Sequence, residues 1–385
     1  MEYFLSEQQK TIRSLARKIA EERILPVRAE LDEKEEFPWA IIRDLAASDM
    51  FRVFIPEEYD GLGGGCLDLC LVVEELSRVC SSVAISYAAV DLGIIPLLEY
   101  GTEEQKRKYL PDVAAGKRLA AFAITEPMAG SDASAIRTTA ERVKGGYLLN
   151  GTKQFITNGG EAELYTVIAL TDKTRGARGA SALLVEKDTP GFSFGKKERK
   201  LGIRASSTRE LIFQNCFVPE ENIIGREGMG FIVTMRLFDK SRPGIGAQAV
   251  GLAQGALEAA TDYARERVQF GHPIFSLQAV QHMLADMVIQ VEAARALVYA
   301  TARTVDSGAK DVSGESAMAK VFASDMAMKV TTDAVQILGG AGYMRDYPVE
   351  KMMRDAKITQ IYEGTNQILR NVIAIELRKR KGRRD

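Results

Sequence analysis

The feature that most constrains the fold is that the hydrophobic periodicity changes twice along the chain. Residues 8–24 and 67–78 have the period of amphipathic helices. Between residues 119 and 232 the pattern changes to short strand-like runs, such as 119–125, 165–170 and 182–185, separated by Gly, Pro and Asp clusters. Helical period then returns in segments 233–241, 245–267, 277–307 and 314–338. This order predicts an α+β protein without βαβ units.

We therefore predict three domains: an N-terminal all-α domain (1–118), a middle antiparallel β domain (119–232) and a C-terminal helical bundle domain (233–385). No glycine-rich segment follows a predicted strand in the GxGxxG pattern, and no Walker A sequence occurs. A nucleotide cofactor would therefore not bind through a Rossmann unit.

Composition excludes several classes of protein. The chain has 385 residues, 46% of them apolar and 27% charged, with a net charge of -1, so no global field favours nucleic acid or an anionic membrane. The basic run at residues 378–384 is predicted to be a solvated terminus. No apolar run approaches the roughly 18 residues that span a bilayer. With no secretory pattern at the N-terminus, we expect a cytoplasmic protein without membrane insertion.

The scarcity of histidine and the spacing of cysteine argue against metal or triad chemistry. Only His272 and His282 occur, and the four cysteines form no CxxC or metal-ligand spacing. We therefore predict no metal site, and buried reduced thiols.

A carboxylate stands directly before a glycine at Glu363-Gly364, between an apolar run and a new helix. Because glycine tolerates positive φ, the chain can bend sharply here and aim the carboxylate into a cavity. Taken alone, an exposed glutamate in a turn is the commoner case.

Two segments of the middle region suit a flat, phosphate-bearing ligand. Residues 122–132 run from a strand into a polar loop whose hydroxyls and N–H groups suit a pyrophosphate or an amide. In residues 149–160, alternation places Phe155 and Thr157 on one face, as an aromatic plate beside a hydroxyl. Either segment alone is also typical of an ordinary strand that ends in a turn.

The last region has polar groups at its helix ends. Arg267 closes one predicted helix, where it could satisfy carbonyl groups or pair with phosphate oxygens, and Gln278 begins the next. Residues 336–343 end a helix with small residues that permit close backbone approach.

Together these segments resemble the FAD-dependent acyl-CoA dehydrogenases over essentially the whole chain. The resemblance rests on the order of five motifs: Ile-Thr-Glu-Pro-x-Ala-Gly-Ser-Asp, Ile-Thr-Asn-Gly-Gly, Arg-x-Gln-Phe-Gly, Gln-Ile-Leu-Gly-Gly and Ile-Tyr-Glu-Gly-Thr. It implies a C-terminal four-helix bundle, bound FAD, an acyl-CoA substrate of the short- or medium-chain or alicyclic kind, electron transfer to an electron-transferring flavoprotein, and a homotetramer.

The resemblance also implies roles for individual residues. Cofactor-binding positions would be Phe122, Ile124, Thr125, Ser131, Phe155, Thr157, Arg267, Phe270, Gln278, Gln336, Gly340, Thr365 and Gln367. Of these, Arg267, Phe270, Gln278, Gln336 and Gly340 would hold the FAD of a neighbouring subunit. Substrate-binding positions would be Ser131, Asp239, Arg242, Tyr362 and Gly364. Phe155 and Phe122 replace the tryptophan and the tyrosine that are common in the family, and neither change threatens FAD binding.

The implied reaction is α,β-desaturation, with Glu363 as the base for the α-proton and the flavin N5 as the acceptor of the β-hydride. The thioester carbonyl then needs donors, which in the family are the backbone N–H at the Glu363 position and a ribityl hydroxyl. Burial would raise the pKa of the carboxyl and make it a stronger base. Some branches of the family carry the base at the position of Ser241 instead. A serine cannot act as that base, so the resemblance assigns this chain to the branch with the base at Glu363.

Asp91 departs from an otherwise apolar helix, predicted to line the acyl pocket. A buried carboxylate is costly, so it needs a reason. It could be a paired or capping residue at a helix break. Alternatively it could contact the far end of the substrate as a second base for a ring-shaped acyl group, such as cyclohexane- or cyclohexenecarboxyl-CoA. A glutaryl-CoA substrate is disfavoured, because no Lys or Arg lies between Arg78 and Lys106.

Two alternatives stay open. An acyl-CoA oxidase using O2 would release peroxide during turnover. A catalytically silent helical scaffold would show no flavin that acyl-CoA bleaches, although the intact Glu363 argues against it.

Overall fold

The structure, a computed structural model, describes residues 3–381. The predicted order of helices, sheet and helices is confirmed. The last part of the basic run, residues 382–384, lies outside the described residues.

The N-terminal region consists of helices that pack around α4 and α5. They are α1 (Glu7–Ile19), α2 (Arg28–Lys34), α3 (Trp39–Ala47), α4 (Cys66–Val79), α5 (Ser81–Tyr100) and α6 (Glu103–Ala114). Helix α1 starts at a capping box in which Ser6 and Gln9 satisfy each other's backbone N–H groups. A π-helical turn, Ala20–Ile24, extends it to the end that the sequence predicted.

The middle region is a mostly antiparallel sheet. Its strands are β1 (Ala120–Ala123), β2 (Thr139–Val143), β3 (Gly146–Thr157), β4 (Leu164–Leu170), β5 (Ala180–Glu186), β6 (Phe192–Lys197), β7 (Thr208–Pro219) and β8 (Ile223–Ile224). The sheet order is β6-β7-β3-β2-β4-β5-β8, and β1 pairs with β4 in parallel. Strand β2 also meets β4 in parallel at one residue pair, so the sheet is not purely antiparallel.

The C-terminal region is helical. It contains α7 (Gly230–Glu266), a two-residue hairpin of β9 (Val268–Gln269) and β10 (His272–Pro273), then α8 (Gln278–Asp306), α9 (Ser313–Leu338), α10 (Val349–Thr359) and α11 (Asn366–Lys381). Helices α7, α8 and α9 pack against one another and α11 packs on α9, as expected for the bundle. Helix α4 packs on α7 and α8, and α5 packs on β1, so buried apolar side chains of all three regions form one core.

The prediction of two helices on either side of residues 242–244 is wrong. Helix α7 runs through Pro243 without a break. Proline removes one helical hydrogen bond, the one to the carbonyl of the residue four positions earlier, which is Asp239. Here Ser316 Oγ of α9 donates to that carbonyl at 2.6 Å. The packing of α9 on α7 therefore satisfies the group that proline leaves unpaired.

The expectation that no apolar run reaches membrane-spanning length is wrong for α5. Among the described residues, this helix is long and apolar enough to span a bilayer. Because 89% of its most apolar stretch is buried inside the protein, core packing accounts for its composition.

Candidate active site

Glu363 lies on a left-handed turn between α10 and α11. Its φ is 51° and that of Gly364 is 95°. A Cβ on Gly364 would lie 2.9 Å from the Leu369 side chain, so both conformation and space require glycine there. A non-glycine residue with positive φ is strained, and the surrounding structure must hold it in place.

Groups from α7 and α9 hold this turn. Lys320 Nζ donates to the carbonyl of Gly364 at 2.8 Å and to Asn366 Oδ1 at 3.0 Å. Arg242 Nε donates to the carbonyl of Glu363 at 3.4 Å. The Tyr362 hydroxyl donates to Gln248 Oε1 on α7. The backbone N–H of Glu363 has no acceptor among the described residues, which leaves it available to a ligand.

The carboxylate itself meets a hydroxyl. Ser241 Oγ donates to Glu363 Oε2 at 2.7 Å. Burial raises the pKa of Glu363, and the Ser241 hydrogen bond and the charges of Arg242 and Lys320 oppose that rise. The sequence identified Ser241 only as a position without a base. Its role as the partner of Glu363 was missed, because nothing local to either segment links them.

Glu363 and Asp91 line the same narrow cavity, which leaves about 10 Å³ for the centre of a water molecule. The other lining residues are apolar or small: Leu69, Ile85, Ala88, Ala89, Leu92, Ser241, Gly244 and Ile245. Asp91 lies inside α5, not at a helix break, so the capping role is excluded. None of the described residues gives its carboxyl a hydrogen bond, and burial, then the charge of Glu363, raises its pKa to about 7.

A second group of predicted site residues lies at the end of strand β3 in the middle sheet. The N–H of Gln154 donates to the carbonyl of Thr125 at 2.8 Å, so Thr125 stands beside the end of β3 that carries Phe155 and Thr157. The register of β3 with β7 shifts between Lys153 and Ile156. In this irregular stretch Phe155 has a φ of 58° and is 58% exposed. The ring of Phe155 is thus exposed at the end of β3, but its left-handed φ breaks the regular alternation from which a face shared with Thr157 was predicted.

Aromatic and cationic contacts connect β1 to the turn that bears Glu363. The rings of Phe122 and Phe238 meet edge to face at 6.0 Å. The guanidinium of Arg242 lies 5.6 Å from the centre of the Phe238 ring and also contacts the Glu363 carbonyl. The structure therefore brings Phe122 close to the turn that bears Glu363.

A buried ion pair that the sequence analysis missed supports the loop after β1. Lys153 Nζ donates to Glu126 Oε1 at 2.6 Å and to the carbonyl of Ile124 at 3.1 Å. Glu126 also accepts from the N–H groups of Arg137 and Thr138. The pair fixes both ends of the loop that carries Ser131, whose side chain is exposed.

The predicted cross-subunit set lies far from this site. Arg267 follows the last turn of α7, so about 37 Å of helix separates it from Arg242 at 1.5 Å per residue. Phe270, 88% exposed, stands in the β9–β10 hairpin beside exposed Arg267 and Gln278, while Gln336 and Gly340 are exposed at the end of α9. The structure does not bring this set to the Glu363 turn within one subunit.

The remaining predicted residues stand near the turn. Asp239 accepts from Ser313 Oγ at 2.6 Å and lies 3.5 Å from Arg242 Nη1. Thr365 accepts from the N–H of Ile368 at 3.3 Å, so its hydroxyl caps α11, and Gln367 is exposed. Across residues 3–381, no group of three or more His, Cys, Asp or Glu side chains could hold a metal. Cysteines 66, 70, 80 and 216 are free thiols, and all but the first are buried.

Comparison with known proteins identifies the class. The family models for the N-terminal, middle and C-terminal domains of acyl-CoA dehydrogenases match residues 6–117, 121–216 and 228–377. An acyl-CoA dehydrogenase of Bacillus subtilis is 48% identical over 371 residues, covering 96% of this chain and 98% of the relative.

Solved structures agree. Butyryl-CoA dehydrogenase from Megasphaera elsdenii has a TM-score of 0.95 and 44% identity, covering 98% of this chain and 100% of that one. A chain from a structure described as the electron transferring flavoprotein of Acidaminococcus fermentans has a TM-score of 0.96 and 49% identity, covering 98% and 99%. The fold and site define a flavoprotein oxidoreductase. The chain belongs to the acyl-CoA dehydrogenase family, which uses FAD.

The residues present fit that cofactor. The exposed ring of Phe155 offers stacking area to a flat heteroaromatic ring, and the hydroxyls of Thr125 and Thr157, at the same end of β3, can form hydrogen bonds with it. The exposed loop with Ser131 offers a hydroxyl and N–H groups to a pyrophosphate.

Proposed function

We propose that this protein desaturates an acyl-CoA thioester between its α and β carbons, with Glu363 as the base. One observation carries the proposal: a carboxylate of raised pKa lines an otherwise mostly apolar cavity, on a turn held by charged groups. A base that removes a carbon-bound proton works best when its pKa approaches the working pH.

The residues of the chain divide the work as follows. Glu363 takes the α-proton, and its own N–H, which is without an acceptor in the described structure, donates to the thioester oxygen as negative charge develops. Bound FAD would supply the hydride acceptor for the β-hydrogen at its N5 atom. Phe155, Thr125 and Thr157 orient the ring, and the apolar walls around Ala88 and Ile245 exclude water.

The proposed substrate is a short, medium-length or alicyclic acyl-CoA. The cavity lining contains no Lys or Arg, which agrees with the expectation that a glutaryl-CoA substrate is disfavoured. The relative from Megasphaera elsdenii is a butyryl-CoA dehydrogenase, which favours a short acyl chain. Asp91 faces the same cavity from α5, so we propose that it contacts the end of the acyl group away from the thioester and acts as a second base for a ring.

A pair of variants tests the two carboxylates. We expect Glu363→Gln to abolish bleaching of the flavin by every acyl-CoA. We expect Asp91→Asn to impair alicyclic substrates while sparing straight-chain ones. Because the pKa of Asp91 is raised to about 7 and the base is the carboxylate, the rate with an alicyclic substrate should rise as pH increases through about 7. Equal activity of Asp91→Asn on both substrate types would end the second-base assignment. Peroxide release would favour an oxidase.

We also propose the partners. The similarity to the structure of the Acidaminococcus fermentans electron transferring flavoprotein supports electron transfer to a partner of that kind. The exposed set around Arg267 and Phe270, remote from the Glu363 turn, supports a homotetramer in which this set holds a neighbour's FAD. A cytoplasmic location stays a prediction.

A further inference from the structure

Lys320 is a fully buried lysine on α9, directly behind the turn that carries Glu363. It makes no salt bridge among the described residues. Its two acceptors, the carbonyl of Gly364 and the amide of Asn366, are neutral. A buried ammonium is costly unless it is paired, so its hydrogen bonds and any nearby charge must offset that cost.

Two negative charges favour the ammonium of Lys320: Glu363, which has the larger effect, and Asp325. Burial lowers the pKa of Lys320 to about 7, and the first effect that opposes this is attraction to Glu363. In return, the charge of Lys320 lowers the pKa of Glu363. The two groups are thus electrostatically coupled across the turn, although Lys320 bonds to the backbone and not to the carboxylate.

The rest of the contact between the turn and α9 reinforces this geometry. Asn366 Nδ2 donates to Ser324 Oγ at 2.9 Å and to Asp325 Oδ1 at 2.8 Å. Asp325 also accepts from Gln360 Nε2 at 2.6 Å. Both ends of the segment 360–366 therefore form hydrogen bonds with α9. Between them, the ammonium of Lys320 donates to the carbonyl of Gly364.

We propose that Lys320 is a positioning residue: it fixes the left-handed turn that aims the Glu363 carboxylate at the substrate, and its charge keeps that carboxylate ionised. The other groups that act on Glu363 are Ser241 and Arg242 from α7, Asp91 from α5 and the adjacent Tyr362, whose raised pKa keeps its hydroxyl neutral. Ser241 and Arg242 also favour the carboxylate, whereas charge on Asp91 opposes it. Lys320 is the group on α9 that favours the ionised carboxylate of Glu363.

This inference rests on the proposed function of Glu363, and its test compares Lys320→Met with Lys320→Gln. Methionine keeps the length of the side chain but removes both charge and donors, whereas glutamine keeps a donor. The control is Lys329→Met on the same helix, because Lys329 is 53% exposed and pairs with Asp333. For each protein, kcat and KM are measured across pH, together with FAD content and the midpoint of thermal unfolding.

We expect Lys320→Met to lower kcat roughly tenfold to a hundredfold with a smaller change in KM, since misplacement of a reacting group by about 1 Å has this effect. Loss of the positive charge raises the pKa of Glu363. The acidic limb of kcat/KM should therefore move to higher pH in both uncharged variants. Lys320→Gln should retain more of kcat, and Lys329→Met should match the native enzyme.

An acidic limb at its native position in folded Lys320→Met and Lys320→Gln would overturn the inference. So would loss of FAD and fold in both variants, since the role of Lys320 would then be purely structural. Failure of the proposed function is distinguished by Glu363→Gln: a native rate in that variant would remove Glu363 as the base whatever the lysine variants do.

Discussion

At the scale of residues, the ionisation of one carboxylate, Glu363, depends on two opposing effects. Burial disfavours its charged form, and three neighbouring groups favour it. Burial raises the pKa of Glu363, while Ser241, Arg242 and Lys320 restrain it. A base needs both effects: burial makes the carboxylate basic, and the favourable groups keep it ionised.

Ser241→Ala tests this balance. The Ser241 hydroxyl donates to the ionised carboxylate and lowers its pKa, so its removal should raise the pKa of Glu363 and move the acidic limb of kcat/KM to higher pH. The pH dependence of the rate measures the shift, with Ser307→Ala, exposed at the end of α8, as control. An unmoved limb would show that the hydrogen bond contributes nothing to the ionisation.

The sequence predicted part of this site. The Glu363-Gly364 pair signals a bend by itself, and Asp91 is conspicuous in an apolar segment. Ser241, Lys320 and Gln248 could not be predicted, because they come from helices far away in sequence and only packing brings them to the turn.

At the scale of elements, α7 shows how tertiary contact overrides a local signal. The sequence pattern predicted separate helices over 233–241 and 245–267, whereas α7 is continuous through Pro243. What the sequence could not show is that α9 would place Ser316 on the carbonyl of Asp239. The continuous helix carries Ser241 and Arg242 directly before Pro243. The hydrogen bond from Ser316 to the carbonyl of Asp239 therefore also helps to position the site.

Ser316→Ala should therefore destabilise the protein. Both groups are buried, and an unpaired buried carbonyl costs about 1–3 kcal/mol. Thermal unfolding should begin at a lower temperature than in the native protein. Ser193→Ala, exposed on β6, should have no comparable effect. Equal midpoints for the two variants would mean that the carbonyl of Asp239 finds another partner.

At the scale of the whole molecule, the residues around Arg267 and at the end of α9 are exposed and lie away from the Glu363 turn. About 37 Å of helix separates Arg267 from Arg242, so completion of the FAD site is expected to need a neighbouring subunit. This shared site stays a prediction, and it comes from the resemblance of the motifs, because local patterns could not have indicated it.

Subunit complementation tests it. Arg267→Ala and Thr157→Val should each weaken FAD binding. Arg267→Ala removes a contact that a neighbouring subunit would make with FAD, and Thr157→Val removes a hydroxyl that the middle sheet would offer to FAD. Mixed oligomers of the two variants should regain FAD and activity, since some sites then combine two native halves. No recovery in hybrids shown by light scattering to have assembled would contradict a shared site.

The central claim is that Glu363 removes the α-proton. The most direct measurement is exchange of that proton with D2O, alongside anaerobic flavin bleaching, in Glu363→Gln and in Glu30→Gln, an exposed control on α2. We predict that Glu363→Gln loses both by at least about a hundredfold, the usual contribution of a positioned base, while Glu30→Gln is unchanged. Exchange and bleaching within a few-fold of the native enzyme in Glu363→Gln would contradict the account.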